Sequence, residues 1–77
     1  MKASAVLSIL VRDWMKRQRL CIRTAAKHLG MAEMSLWRRL NGHRQWRADA
    51  LLRLSDEGIQ VSSELFRALV DEEEISA

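Results

Sequence analysis

Residues 24–42 read TAAKHLGMAEMSLWRRLNG, and the spacing of their small and apolar residues decides the fold. Two helices that meet at roughly 120° through a short turn need a small residue where their backbones touch, and Ala26 supplies it. The turn needs a residue comfortable at positive φ, and Gly30 stands four positions later. Met31, just after the turn, and Leu36, six beyond Gly30, pin the second helix onto the first. The spacing predicts one helix from about Ile22 to Leu29, with Ile22, Ala25, Ala26 and Leu29 facing inward. It predicts another from about Ala32 to Leu40, closed by Asn41-Gly42, a dipeptide suited to positive φ.

Outward from this stretch the pattern stays helical. Val6, Leu7, Leu10 and Trp14 mark one apolar stripe of a first helix, and Lys16, Arg17 and Arg19 crowd its end, where cations favour the negative dipole. His43 to Arg47 reads as a polar loop carrying Trp46. Ala48 to Glu57 reads as a fourth helix with Leu51, Leu52 and Leu54, stopped at Gly58. Ser62 caps a fifth, whose first turn holds Glu64 and whose apolar side holds Leu65, Phe66, Leu69 and Val70. Three glycines and no proline in 77 residues leave too little turn punctuation for a strand-rich fold. The expectation is an all-α domain of five short helices around one core, with an acidic tail at 71–77 that frays.

Charge is distributed unevenly. Residues 1–54 carry twelve Lys/Arg against three acids (Asp13, Glu33 and Asp49), and residues 55–77 carry Arg67 against seven, so +9 and −6 make the net +3. A basic body with an acidic end is the footprint of a polyanion-binding face beside a solvated tail; the plainer reading is two helix faces with ordinary solubilising charge. One cysteine, Cys21, excludes an internal disulfide and a cysteine zinc cluster and fits a reducing cytoplasm. The apolar run Ala5–Val11 is too short to span a bilayer, and no small-residue cleavage site follows it.

The segment resembles the helix-turn-helix of the Cro/CI (XRE-type) phage and plasmid repressors. The resemblance runs from about Leu7 to Leu69. It includes Ala26, Gly30 and Leu36, then Asn41-Gly42, a helix ending Leu51-Leu-Arg-Leu54, and Gly58-Ile59-Gln-Val-Ser-Ser-Glu-Leu65. The piece from Ala25 to Leu40 is also similar to the Fis-type helix-turn-helix, but such modules end near that point, and the two further helices favour Cro/CI. The resemblance implies a five-helix lambda-repressor-like domain over residues 1–70.

It also implies that Ala32, Glu33, Met34 and Ser35, with Arg38 one turn on, read bases in the major groove. Side-chain chemistry agrees: Arg38 can fork to guanine O6/N7, Glu33 can accept from cytosine N4, and Met34 or Ala32 can touch a thymine methyl. Phosphate contacts are expected from Arg23, Lys27, Arg39, Asn41, His43, Arg44 and Arg47. Three departures stand out: Cys21 and Ala32 occupy helix N-caps where the family carries Ser or Thr, and Arg39 occupies a position more often apolar. Either Arg39 snorkels, or the helix is rotated so that Trp37 packs in the core; the alternative for Trp37 is a sugar-phosphate or partner contact. Trp46 is expected as a satellite of the core, or else as a dimer or DNA-backbone contact.

His28 and His43 with a single cysteine give no metal-ligand set, Cys21 has no paired base, and no paired-carboxylate, triad or phosphate-loop pattern points to an enzyme or a cofactor. The expected function is a sequence-specific transcription regulator, a cytoplasmic repressor of phage or mobile-element type that binds a palindromic operator on double-stranded DNA as a homodimer. The expected dimer surface is Phe66, Leu69 and Val70, with the outer side of the first helix (Ile9, Val11, Met15) as its rival. The alternative is an antitoxin or adaptor that uses the same fold to hold a partner protein.

Overall fold

Helices form along this chain where apolar residues recur at 3.6-residue spacing, and they stop where the backbone enters a left-handed turn. A computed structural model describes residues 2–76, with side chains from Lys2 to Glu73. Five α-helices are present among the described residues: α1 (Ala3–Gln18), α2 (Ile22–His28), α3 (Glu33–Leu40), α4 (Leu51–Asp56) and α5 (Ser63–Ser76), with a 3₁₀ turn (Ala48–Ala50) leading into α4. The expected single helix from Ala48 to Glu57 therefore begins as a tighter 3₁₀ turn, a common way to start a helix. None of these helices is long and apolar enough to cross a membrane.

The ends of α1 and α2 are built alike. After α2 the Met31 N–H donates to the Ala26 carbonyl at 3.0 Å and the Gly30 N–H to that of Lys27 at 3.2 Å. Gly30 sits at φ +67°, so this is a Schellman turn with glycine in its left-handed position. After α1 the same pair of bonds runs from Leu20 to Met15 and from Arg19 to Lys16. There the left-handed residue is Arg19, at φ 54°, a conformation that costs an L-residue with a side chain roughly 1–2 kcal/mol. Leu20 and Met31 follow these turns and pack against the core, which supplies the apolar contact that accompanies such caps.

The core is lined by Leu7, Val11 and Trp14 of α1, Ala25, Ala26 and Leu29 around α2, Leu36 and Leu40 of α3, Leu54, Ile59 and Leu69. Trp46, expected at its margin, lies at its centre, 1% exposed. The α1 stripe is rotated from the expected one. Val11, placed on the outer side from sequence, is fully buried, whereas Val6 and Leu10 are only partly so. The cause is polar: Ser4 and Ser8 share the buried face of α1 because Trp46 needs them. Its backbone N–H donates to Ser4 Oγ at 2.8 Å and its indole Nε1–H to Ser8 Oγ at 2.9 Å.

The acidic stretch expected as a tail beyond residue 70 continues α5 to Ser76. Glu72 accepts from the Ala3 N–H at 2.8 Å and Glu73 accepts from the Ala48 N–H. Each carboxylate meets the first N–H groups of another helix, which have no partner within that helix and attract negative charge. At the other end of α5, Ser62 Oγ accepts from the Leu65 N–H at 3.1 Å, the cap expected from sequence.

Candidate nucleic-acid interface

The surface around α3 starts with how that helix is held. Its last four carbonyls, which no helical N–H can reach, are all satisfied. Trp37 O accepts from the backbone and side-chain amides of Asn41, and Arg38 O from the N–H groups of His43 and Arg44. Arg39 O accepts from Ser8 Oγ at 2.9 Å, and Leu40 O from Arg12 Nη2 at 3.0 Å. Helix α1 thus clamps the C-terminal end of α3 through Ser8 and Arg12. The Schellman turn at Gly30 fixes its entry, and Leu36 and Leu40 bury its inner side. At this same C-terminal end of α2, His28 Nδ1 lies 2.5 Å from Glu57 Oε1, joining α2 to the end of α4, with the His28 ring edge-on to Trp14. The outer side of α3 is presented on a fixed frame.

Cys21 and Ala32 are the N-cap residues of α2 and α3, and neither side chain caps a backbone N–H. Ala32, Glu33, Met34 and Arg38 are exposed along α3, and Ser35 is half-buried. Arg23, Lys27, Asn41, His43, Arg44 and Arg47 are exposed as well. Contacts join several of them into one strip. Arg23 Nε lies 3.9 Å from Glu33 Oε2, linking the start of α2 to the start of α3. Ile22, Glu33, Met34 and Trp37 line a shallow cleft. The Trp37 indole stacks on the His43 ring, centroids 5.3 Å apart and planes 10° from parallel. Lys27, Arg38, Arg44 and Arg47 form no ion pair among the described residues. Arg47 is the N-cap of the 3₁₀ turn that leads into α4.

Two expected site residues are placed elsewhere. Arg39, expected on phosphate, turns toward the core: its guanidinium carbon sits 5.8 Å from the Trp46 ring centroid, and Nη1 donates to the Ser35 carbonyl at 3.3 Å. Its Nε is buried without a partner. Burial, then the nearby charge of Arg44, hold its pKa below the ordinary arginine value, and Asp49 opposes them. An arginine stays charged regardless; this one, half-buried, sets its guanidinium over an indole face. Leu69, expected at a dimer surface, is a core residue, because Leu65 and Leu69 form the inward side of α5. Phe66 is 47% exposed and Val70 half-buried, and they line a cleft with Ser63, Glu64, Arg67 and Asp71.

The Trp37–His43 stack and the part of Ile22 in the cleft escaped sequence reasoning. The only available signal was the choice left open for Trp37, which the structure resolves: Trp37 is outside the core, 44% exposed. Cys21 is exposed with Sγ 3.4 Å from Thr24 Oγ1. The Thr24 hydroxyl, then nearby backbone N–H groups, push the thiol pKa below its ordinary value. No protein-family model matches the chain, and no curated protein or solved structure shows significant similarity to it.

Proposed function

We propose that the chain is a sequence-specific DNA-binding regulator of the Cro/CI helix-turn-helix type. In this reading α2 and α3 are the two helices of the motif, and α3 enters the major groove. The observation that carries it is the exposed strip of α3, where Glu33, Met34 and Arg38 project from a helix whose two ends are fixed by the Gly30 turn and by Ser8 and Arg12. Rigid presentation of a few polar and apolar side chains is what base reading needs. The cations Arg23, Lys27, Arg38 and Arg44 around the strip supply contacts to phosphate. Ser35, half-buried, and Arg39, turned inward, drop to secondary roles.

Regulation as a repressor at a palindromic operator, in the cytoplasm of a prokaryotic host, belongs to the same reading. A single short helix gives limited affinity, and two copies on half-sites one turn of DNA apart multiply it. Exposed Phe66 on α5 and Leu52 on α4, the latter 78% exposed, support a contact with a second protein, which we assign to a second copy. An antitoxin-like role in which those residues hold a different protein is the second reading.

The deciding experiment is salt-titrated binding of the full chain to a duplex selected from a random pool and to unrelated DNA. Preference for the selected duplex, with affinity for both falling steeply as salt rises, is the expected result. Steep salt dependence without preference would sink specific regulation. Light scattering should give a dimer that Phe66→Glu converts to monomer; a monomeric parent chain, bound to DNA or free, would remove the symmetric-operator part.

A further inference from the structure

We infer that Arg19, in the turn between α1 and α2, grips a backbone phosphate of duplex DNA beside the α3 strip, and that the strained backbone of this turn serves to place its guanidinium. This rests on the DNA-binding reading above and adds to it a sequence-independent contact from outside the two-helix motif.

The same Schellman turn closes α1 and α2. Glycine fills the left-handed position after α2, whereas after α1 that position is held by Arg19 at φ 54°, the one non-glycine residue at positive φ among those described. A side chain in this conformation destabilises the fold, and glycine would relieve the strain. Arg17 and Arg23 pair with Asp13 and Glu33, but Arg19 is exposed and forms no ion pair among the described residues. A cation at a helix C-terminus also favours the dipole, yet Lys16 and Arg17 already stand in the last turn of α1 for that purpose. Strain kept without an internal return marks a residue used in binding.

Charge and position identify what it binds. Residues 14–32 carry Lys16, Arg17, Arg19, Arg23 and Lys27 and no acid, so the local field favours an anion. Ile22, three residues on and so at most about 11 Å away along the chain, lines the cleft with Met34 and Trp37, and Arg23 reaches Glu33 at the start of α3. Arg19 therefore stands at the edge of the surface assigned to DNA, where a duplex presents its phosphates. The turn also fixes where the side chain leaves the backbone. The Leu20 N–H donates to the Met15 carbonyl at 2.9 Å and Leu20 packs against the core. From that held start, a planar guanidinium matches two phosphate oxygens.

The test compares Arg19→Gly, Arg19→Gln and Arg19→Lys in the full chain, on the duplex selected from a random pool and on unrelated DNA. Arg19→Gly should unfold at a higher temperature than the parent and yet bind both duplexes more weakly, with the preference between them unchanged. Its salt slope should fall by about one per bound chain, so that a fourfold rise in salt costs it about threefold less affinity than it costs the parent. Arg19→Gln should lose the same slope without gaining thermal stability, which separates charge from strain, and Arg19→Lys should keep the parent's slope. Replacing single phosphates by uncharged methylphosphonates should find one position per bound chain that weakens the parent and leaves Arg19→Gly unaffected. Unchanged affinity and slope in Arg19→Gly and Arg19→Gln would overturn the inference and leave the DNA-binding reading standing. A changed base preference in either variant would overturn the assignment to phosphate. A parent chain that binds no DNA would overturn both.

Discussion

Ser8 and Trp46 are joined by a 2.9 Å hydrogen bond from the indole Nε1–H to the serine hydroxyl, and the same hydroxyl donates to the Arg39 carbonyl at 2.9 Å. One small side chain on α1 therefore satisfies the indole N–H of a buried core residue and ties down a carbonyl at the end of α3. A hydroxyl has the one donor and the acceptor capacity this requires.

Ser8→Ala leaves the buried indole N–H of Trp46 unpaired and the Arg39 carbonyl with only the 3.4 Å bond from the Gly42 N–H, so it should destabilise the fold by about 1–3 kcal/mol. Trp46→Phe removes the donor and part of the ring volume. The double variant should lose less than the sum of the singles, because the residues share a bond. Urea titration followed by circular dichroism measures this; additive losses would mean that the bond contributes nothing.

The two left-handed caps predict opposite responses. Gly30→Ala places a Cβ 2.6 Å from Arg53 Nη2 on a backbone at φ +67°. The arginine can move aside, so the conformational strain sets the loss, about 1–2 kcal/mol. Arg19→Gly relieves the same strain in α1's cap. Part of that gain is offset by the greater freedom of glycine in the unfolded chain, leaving up to about 1 kcal/mol of stabilisation. Thermal unfolding should therefore show the midpoint falling for the first and rising for the second.

Under the proposed function, Arg38 and Arg44 separate base reading from phosphate contact. Arg38→Ala should cost about 1–3 kcal/mol on the selected duplex and relax preference at one base position. Arg44→Ala should weaken all duplexes alike and lower the salt slope by about one. A footprint and base preference unchanged by Arg38→Ala would refute the assigned register of α3.

Cys21 predicts a pH-dependent reactivity. Its folded thiol pKa is lowered, first by the Thr24 hydroxyl, so the thiolate is favoured in the folded chain. That contribution is present above the unfolded thiol's pKa and lost as pH falls through the folded value. Alkylation of the native protein should turn on at lower pH than in the urea-unfolded chain. Thr24→Val should move the native profile upward; superimposed profiles would show that the contact has no electrostatic effect.

The sequence by itself determined that the chain is helical and where most helices begin and end. That information is local: Gly30 is the residue suited to positive φ, Ser62 is a cap, and Ala25, Ala26, Leu36 and Leu40 fall on inward faces at helical spacing. It also reached the exposed residues of α3, since an exposed face is what an apolar pattern leaves over. Tertiary structure decided the rest, because each remaining choice depends on a partner far away in sequence. Val11 turned inward and Trp46 went to the centre because Ser4 and Ser8 sit on the buried face of α1 to receive its two N–H groups. Arg39, half-buried, set its guanidinium over the Trp46 ring, and Leu69 left the expected dimer surface for the core. Glu72 and Glu73 became caps of α1 and the 3₁₀ turn rather than a loose tail. Trp37, ambiguous by periodicity, stayed outside, where it stacks on His43. Hydrophobic spacing sets which residues can be buried, while long-range hydrogen bonds and stacking choose among them.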